Sequence, residues 1–78
     1  MGNDIEIICN LIMCTPSFPK ILDKNYSDTF IELVNIKTIE ELKSSKNIYI
    51  EKGLEELKQD KKLMNKLQEY NIDIKILD

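Results

Sequence analysis

The chain has 78 residues, of which 42% are hydrophobic and 32% charged, and its formal net charge is -3 at pH 7. This composition is too hydrophobic for a disordered chain, and the acidic balance disfavours nucleic acid as a partner. Arg and His are absent, so the chain lacks the bidentate phosphate ligand and the most frequent acid-base group at neutral pH. We expect a single domain over residues 1–78 with a thin core, no catalytic residue and no cofactor.

The two cysteines, Cys9 and Cys14, are five residues apart. This spacing fits neither a CxxC redox motif nor a paired zinc knuckle, so we expect no metal site. No charged leader precedes an apolar core, and no apolar run approaches the roughly 18 residues that a membrane span requires. The pattern predicts a cytoplasmic protein that has no membrane partner.

The first half of the chain combines one apolar run with two helical patterns. Residues 5–13 are rich in β-branched side chains and predict a central strand, with a short buried helix as the alternative. Thr15 could cap a helix that has Pro16 at its first position, and a turn over residues 15–19 is the alternative. Residues 27–35 predict a core helix because four apolar side chains give it a broad apolar side: Phe30, Ile31, Leu33 and Val34.

The second half predicts two helices and two strands. Thr38 and Glu41 form a capping box that starts a short helix at residue 39. Residues 47–51 and 71–77 alternate apolar and polar side chains and predict strands, while residues 54–70 follow a helical period. The resulting order β-α-α-β-α-β predicts an α/β fold with a small, three-stranded, mostly parallel sheet; the alternative is an α+β fold with an antiparallel edge strand.

The two later strands suggest a place for a partner. Their alternation puts Tyr49, Glu51, Asp73 and Lys75 on the wetter face of edge strands. Edge strands can pair with another chain, and tyrosine is a frequent anchor in interfaces. We therefore expect these four residues to bind a partner, with Tyr49 as the principal contact.

A second candidate site is a pair of carboxylates on the predicted helix 54–70. Glu56 and Asp60 are four residues apart and share the apolar arc of the helix, where they could bind a cation or do acid-base work. The structural interpretation is that they lie near the helix N-terminus, where the helix dipole favours acidic side chains.

The loop after the first predicted strand is the third candidate. Residues 9–15 are similar in outline to the phosphate-binding loop of low-molecular-weight phosphatases, in which a cysteine at the end of a strand is the nucleophile. The sequence departs from that family because Thr15 stands where the arginine belongs and the loop contains no glycine. We expect Cys9 to be an ordinary buried side chain.

Two functions fit these patterns. The first is a small acidic, non-enzymatic regulator or inhibitor of the kind that a phage or mobile element encodes, acting by protein-protein interaction or as a dimer. The second is a small α/β enzyme or ligand-binding domain that uses the loop after the first strand or the Glu56 and Asp60 pair. We favour the first because the sequence offers edge strands and a thin core and no catalytic constellation.

Overall fold

The secondary structure of the described residues consists of helices. The computed structural model describes residues 4–18 and 24–78, and this part contains five α-helices, one 3-10 helix and no β-strand. The elements are α1 (Asp4–Met13), α2 (Lys24–Asn35), α3 (Ile39–Ser44), α4 (Ile48–Gln59), α5 (Lys61–Glu69) and the 3-10 helix (Ile74–Leu77). The fold is therefore all-α, and the predicted α/β domain and its α+β alternative are both wrong.

The apolar run predicted as the first strand is helix α1, which was the alternative. Its buried side chains Ile8, Cys9 and Ile12 recur at the one-and-four spacing of a single helical face. Thr15 follows the end of the helix and does not cap a new one. Its buried hydroxyl donates a hydrogen bond to the Ile12 carbonyl at 2.7 Å, so the turn was the correct alternative, although Pro19 at its end lies outside the described residues.

The two helices predicted next are confirmed. α2 covers the predicted residues 27–35, and α3 begins at Ile39 behind Thr38, whose hydroxyl accepts the Glu41 N-H at 3.1 Å. The reciprocal half of the capping box is shifted by one residue, because the Glu41 carboxylate accepts the N-H of Lys37 at 3.3 Å.

The strand predicted at residues 47–51 is the first turn of α4. Asn47 is its N-cap, and its side-chain oxygen accepts the N-H of Tyr49 at 2.9 Å. Ile50, Gly53 and Leu57 then form the buried face of the helix at spacings of three and four. The alternation of Ile48 and Ile50 predicted a strand here, but both residues belong to the helix.

The single helix predicted over residues 54–70 is two helices that meet at Asp60. The backbone of Asp60 is extended, with φ -82° and ψ 116°, and its carboxylate accepts the N-H groups of Lys62 at 2.9 Å and Leu63 at 3.4 Å. Asp60 therefore ends α4 and caps α5.

The last predicted strand, residues 71–77, is a helix end followed by a 3-10 turn. Asn71 takes a left-handed conformation with φ 60°, its N-H bonds to the Gln68 carbonyl, and the Ile72 N-H bonds to the Leu67 carbonyl, both at 2.9 Å. This is a Schellman motif with asparagine in the place of the usual glycine. Asp73 then caps the 3-10 helix.

The core lies around α4, which packs against α1, α2, α5 and the 3-10 helix. It lies close to α1 at Gly53, where a Cβ atom would lie 2.5 Å from Cγ2 of Ile12. The apolar residues that are buried form one cluster: Ile8, Cys9, Ile12, Phe18, Leu33, Ile36, Leu42, Ile50, Leu57, Leu63, Leu67, Ile72 and Leu77.

No helix in the described residues is both long enough and apolar enough to cross a membrane.

Candidate functional site

The four residues predicted to bind a partner do not share a strand face, because the described residues contain no strand. Tyr49 and Glu51 lie in the first turn of α4, whereas Asp73 and Lys75 lie at the start of the 3-10 helix. Tyr49 is partly buried and borders a shallow hollow of about 420 Å³ between α2 and α4. Their role in binding stays a prediction, but the edge strand on which it was based does not exist.

The carboxylates of Glu56 and Asp60 are both engaged by backbone N-H groups. Glu56 Oε2 accepts the N-H of Ser17 at 3.0 Å and so ties the loop after α1 to α4, and Asp60 caps α5. In residues 4–18 and 24–78, no three cysteine, aspartate or glutamate side chains are grouped so that they could hold a metal ion. The contacts of this pair are those of structural residues.

Cys9 lies within α1 and not at the end of a strand, so the similarity to a phosphatase loop has no structural counterpart. Burial raises the pKa of its thiol from 9.0 to about 11, which keeps it protonated and weakly nucleophilic at neutral pH. Cys14 is exposed, and both cysteines are free. Cys9 therefore packs as a small apolar side chain, as expected.

Helix α2 carries three exposed apolar side chains close together. Phe30, Ile31 and Val34 are 42%, 55% and 47% exposed, and their spacing of one, three and four residues puts them on one outward face of the helix. We call these three residues the α2 ridge. The opposite face of α2 contributes Thr29 and Leu33 to the interior, so this helix is apolar on both sides.

A groove runs beside the α2 ridge, between α1 and the carboxyl-terminal half of α2. It has a volume of about 230 Å³, and Val34 belongs both to its wall and to the ridge. The other residues of this α1–α2 groove are mainly apolar, with Glu6 and Lys37 as its charged members: Ile5, Glu6, Cys9, Asn10, Met13, Leu33, Ile36 and Lys37.

Polar contacts on the far side of α2 hold the helix in place. The Asn47 side-chain amide donates to Thr29 Oγ1 at 3.0 Å, and Ser45 Oγ donates to the Glu32 carboxylate at 2.6 Å. Because Asn47 also caps α4, the orientation of α2 is coupled to the start of α4. The α2 ridge is thus presented on a fixed support.

Comparisons of the chain with protein-family models, with curated proteins and with solved structures gave no match.

The sequence contains the residues of the α2 ridge, but its helical pattern predicts that they lie in the core. Four apolar residues at positions 30, 31, 33 and 34 cover more than the arc that one packed face requires. That excess width was the available signal that α2 has a second apolar face, which the structure shows to be exposed.

Proposed function

We propose that this chain acts by binding another protein chain, and that the α2 ridge with the adjoining α1–α2 groove is its contact surface. The observation that carries the proposal is the exposure of Phe30, Ile31 and Val34 side by side on one helix. Single exposed apolar residues are normal on protein surfaces, whereas contiguous apolar patches mark sites of interaction.

The shape of the surface supports a protein partner over a small molecule. Sites for drug-sized ligands usually have volumes of about 300–1,000 Å³, and the α1–α2 groove has only about 230 Å³. A ridge flanked by a shallow groove is instead typical of helix packing, in which side-chain ridges of one helix fill grooves of another.

The charge of the chain is compatible with this proposal. The net charge of -3 disfavours nucleic acid as a partner, and the ridge itself consists of three uncharged side chains. The possible partners therefore narrow to polypeptides that present apolar side chains.

The test compares wild-type protein with Phe30→Asp and with the matched control Ile76→Asp. Ile76 is also an exposed apolar residue, with 38% of its surface exposed, but it lies in the 3-10 helix and outside the ridge. Each protein is immobilised and incubated with host-cell extract. Any protein that is retained is purified, and its affinity for the wild type and for each variant is measured by calorimetry.

We expect Phe30→Asp to weaken the measured affinity at least about tenfold, because burying a phenylalanine is worth about 1.5–3 kcal/mol and a carboxylate opposes burial. Ile76→Asp should bind like the wild type. Equal affinity of wild type and Phe30→Asp would exclude the ridge as the contact surface.

A further inference from the structure

We infer that the partner of the α2 ridge is a basic amphipathic helix. Its apolar side covers the ridge, and lysine or arginine side chains border that apolar side. One of these cations enters the hollow between α2 and α4, beside Asp28. The inference rests on the proposed function and specifies the chemistry of the partner.

The excess negative charge of the chain lies in the half that forms the ridge. Residues 1–36 contain five acidic and two basic side chains, whereas residues 37–78 contain nine of each. The net charge of -3 therefore belongs entirely to the first half of the sequence. Because an excess of one charge attracts partners of the opposite sign, a basic chain is favoured at this surface.

The two sides of the ridge differ in charge. On one side, Glu6 and Lys37 both line the α1–α2 groove, so the charges in the groove offset each other. On the other side, Asp28 lines the hollow between α2 and α4. Asp28 is exposed and lies one helical turn before Ile31, so its side chain is a neighbour of the ridge. The hollow is thus on the acidic side of the ridge.

This α2–α4 hollow suits the side chain of a lysine or arginine. It has a volume of about 420 Å³, and it is lined by Asp28, Thr29, Asn47, Ile48 and Tyr49. Among the residues that the structure describes, Asp28 is the one charged member of this lining, and Ile48 is an apolar member that is 55% exposed. Lysine and arginine combine an aliphatic stem with a cationic end, so each part meets a matching surface.

A partner that covers the ridge also has to compensate the charge of Asp28. Packing over Ile31 removes part of the water around this carboxylate, which then needs a cation or a hydrogen-bond donor. The Asn47 amide is already engaged, since it donates to Thr29 Oγ1 at 3.0 Å and to the Glu32 carboxylate at 3.4 Å. The cation therefore comes from the partner.

Two other occupants of the ridge fit these charges less well. An anionic membrane would also take up exposed apolar side chains, but its surface repels an acidic protein. An acidic amphipathic helix would place carboxylates next to Asp28, and like charges across an interface are unfavourable. Both occupants are outcomes of the test.

The test measures the binding of three synthetic helical peptides to the full chain by NMR titration. The peptides are about 18 residues long and share one leucine stripe, and they differ only in the bordering residues, which are lysine, glutamine or glutamate. We expect the lysine peptide to bind most tightly and to shift the amide signals of α2 and of residues 47–49. The glutamine peptide should bind about two- to fivefold more weakly, and the glutamate peptide more weakly still.

The variant Asp28→Asn tests the contact in the hollow. It should weaken the lysine peptide about two- to fivefold and leave the glutamine peptide unchanged, because only the cation interacts with the carboxylate charge. The matched control is Glu40→Gln, which removes an exposed acid from α3, outside the groove and the hollow. This control should bind all three peptides like the wild type. Circular dichroism checks that both variants are folded.

The variant Phe30→Ala tests the ridge independently of charge. It should weaken the lysine and glutamine peptides by the same factor, because both peptides place leucine over the phenylalanine. Vesicles of equal parts phosphatidylcholine and phosphatidylserine should not bind the chain.

The outcomes separate this inference from the proposed function. Equal affinities for the lysine and glutamine peptides, or equal effects of Asp28→Asn on both, overturn the basic partner, while the proposed function stands if Phe30→Ala weakens both. Preference for the glutamate peptide, or binding to the vesicles, also overturns the inference. If no peptide binds at about 1 mM, the inference fails and the extract experiment alone decides the proposed function. A preference for lysine that Asp28→Asn removes, with weaker binding in Phe30→Ala, supports both.

Discussion

The two helices that flank α1 contact it in opposite ways. α4 approaches so closely at Gly53 that a single methyl group there would overlap Ile12. α2 contacts a different face of α1 and leaves a groove of about 230 Å³, and its outer side carries three exposed apolar residues. One interface of α1 is complete within the chain, and the other is left open.

The contact of α1 with α4 contributes to the stability of the fold, whereas the exposed side of α2 is available for interaction. Apolar area removed from water within the chain stabilises the fold, at roughly 25 cal/mol per Å². The apolar area of the α2 ridge remains exposed, so it contributes to association only when something covers it. Substitutions on the two sides of α1 should therefore have different consequences, one on unfolding and the other on binding.

The largest effect should come from Ile12→Ala, on the closed side. Ile12 is fully buried against α4, and removing a buried isoleucine side chain to alanine costs about 2–5 kcal/mol. Phe30→Ala on the open side should change the free energy of unfolding by less than about 1 kcal/mol in dilute protein. Urea titrations of both variants at low micromolar concentration measure this contrast, and similar losses would remove the distinction between the two sides.

Gly53→Ala should have the next largest effect and tests the close approach itself. Alanine in a helix gains up to about 1 kcal/mol over glycine, whereas the overlap with Ile12 costs about 1–3 kcal/mol. We expect a net loss of about 1–2 kcal/mol, measured as a lower urea midpoint.

The control is the same substitution in the Ile12→Ala background. The atom that the new Cβ would meet at 2.5 Å is Cγ2 of Ile12, and alanine lacks it. Gly53→Ala should then be neutral or stabilising, giving a coupling of about 2 kcal/mol between the two positions. Additive effects would show that the cost of Gly53→Ala arises elsewhere.

The helices could be predicted from the sequence where their signals were local, as the Thr38 cap and the apolar face of α2 show. The strands were predicted from the abundance of isoleucine and from short alternations. Residues 48–59 are helical instead, because Ile50, Gly53 and Leu57 lie on one helical face and Gly53 packs against α1. The importance of this face becomes visible only once the position of α1 is known. Asn71 could have signalled the helix end, since asparagine adopts the left-handed conformation of a Schellman motif.

The candidate site was less predictable than the fold. Leu33 is buried and its neighbour Val34 is exposed. Which of the two faces the core depends on the position of α1, and the sequence of α2 does not predict that position. The role of Glu56 and Asp60 as a ligand or cation site stays a prediction. Asp60 bonds to the nearby N-H groups of Lys62 and Leu63, whereas Glu56 bonds to the N-H of Ser17, which lies far away in the sequence. Long-range contacts therefore decided the exposure pattern of α2 and the partner of Glu56.

We expect a smaller effect on stability at the junction of α4 and α5. Asp60→Ala should lower the free energy of unfolding by about 1 kcal/mol through loss of the α5 cap, whereas Asp60→Asn should cost much less because asparagine caps equally well. Thermal unfolding with and without millimolar calcium or magnesium measures both variants. A cation that stabilises the wild type but not Asp60→Asn would show instead that the carboxylate charge binds a metal.

The smallest effect concerns Cys9, which lies on the open side as part of the α1–α2 groove. Burial raises the pKa of its thiol in the folded chain to about 11, from 9.0. The unfolded chain therefore loses the thiol proton at lower pH than the folded chain does. The stabilisation is fully present below pH 9 and is lost as the pH rises toward 11.

Between pH 8 and pH 9.5 the free energy of unfolding should fall by roughly 1 kcal/mol or less through this group. The variant Cys9→Ala lacks this thiol and shares every other titratable group with the wild type, so the difference in stability between wild type and variant should narrow over that range. Urea titrations at several pH values measure the difference. A gap that is independent of pH would mean that water already reaches the thiol through the groove, and the open side of α1 would then be more hydrated than its apolar lining suggests.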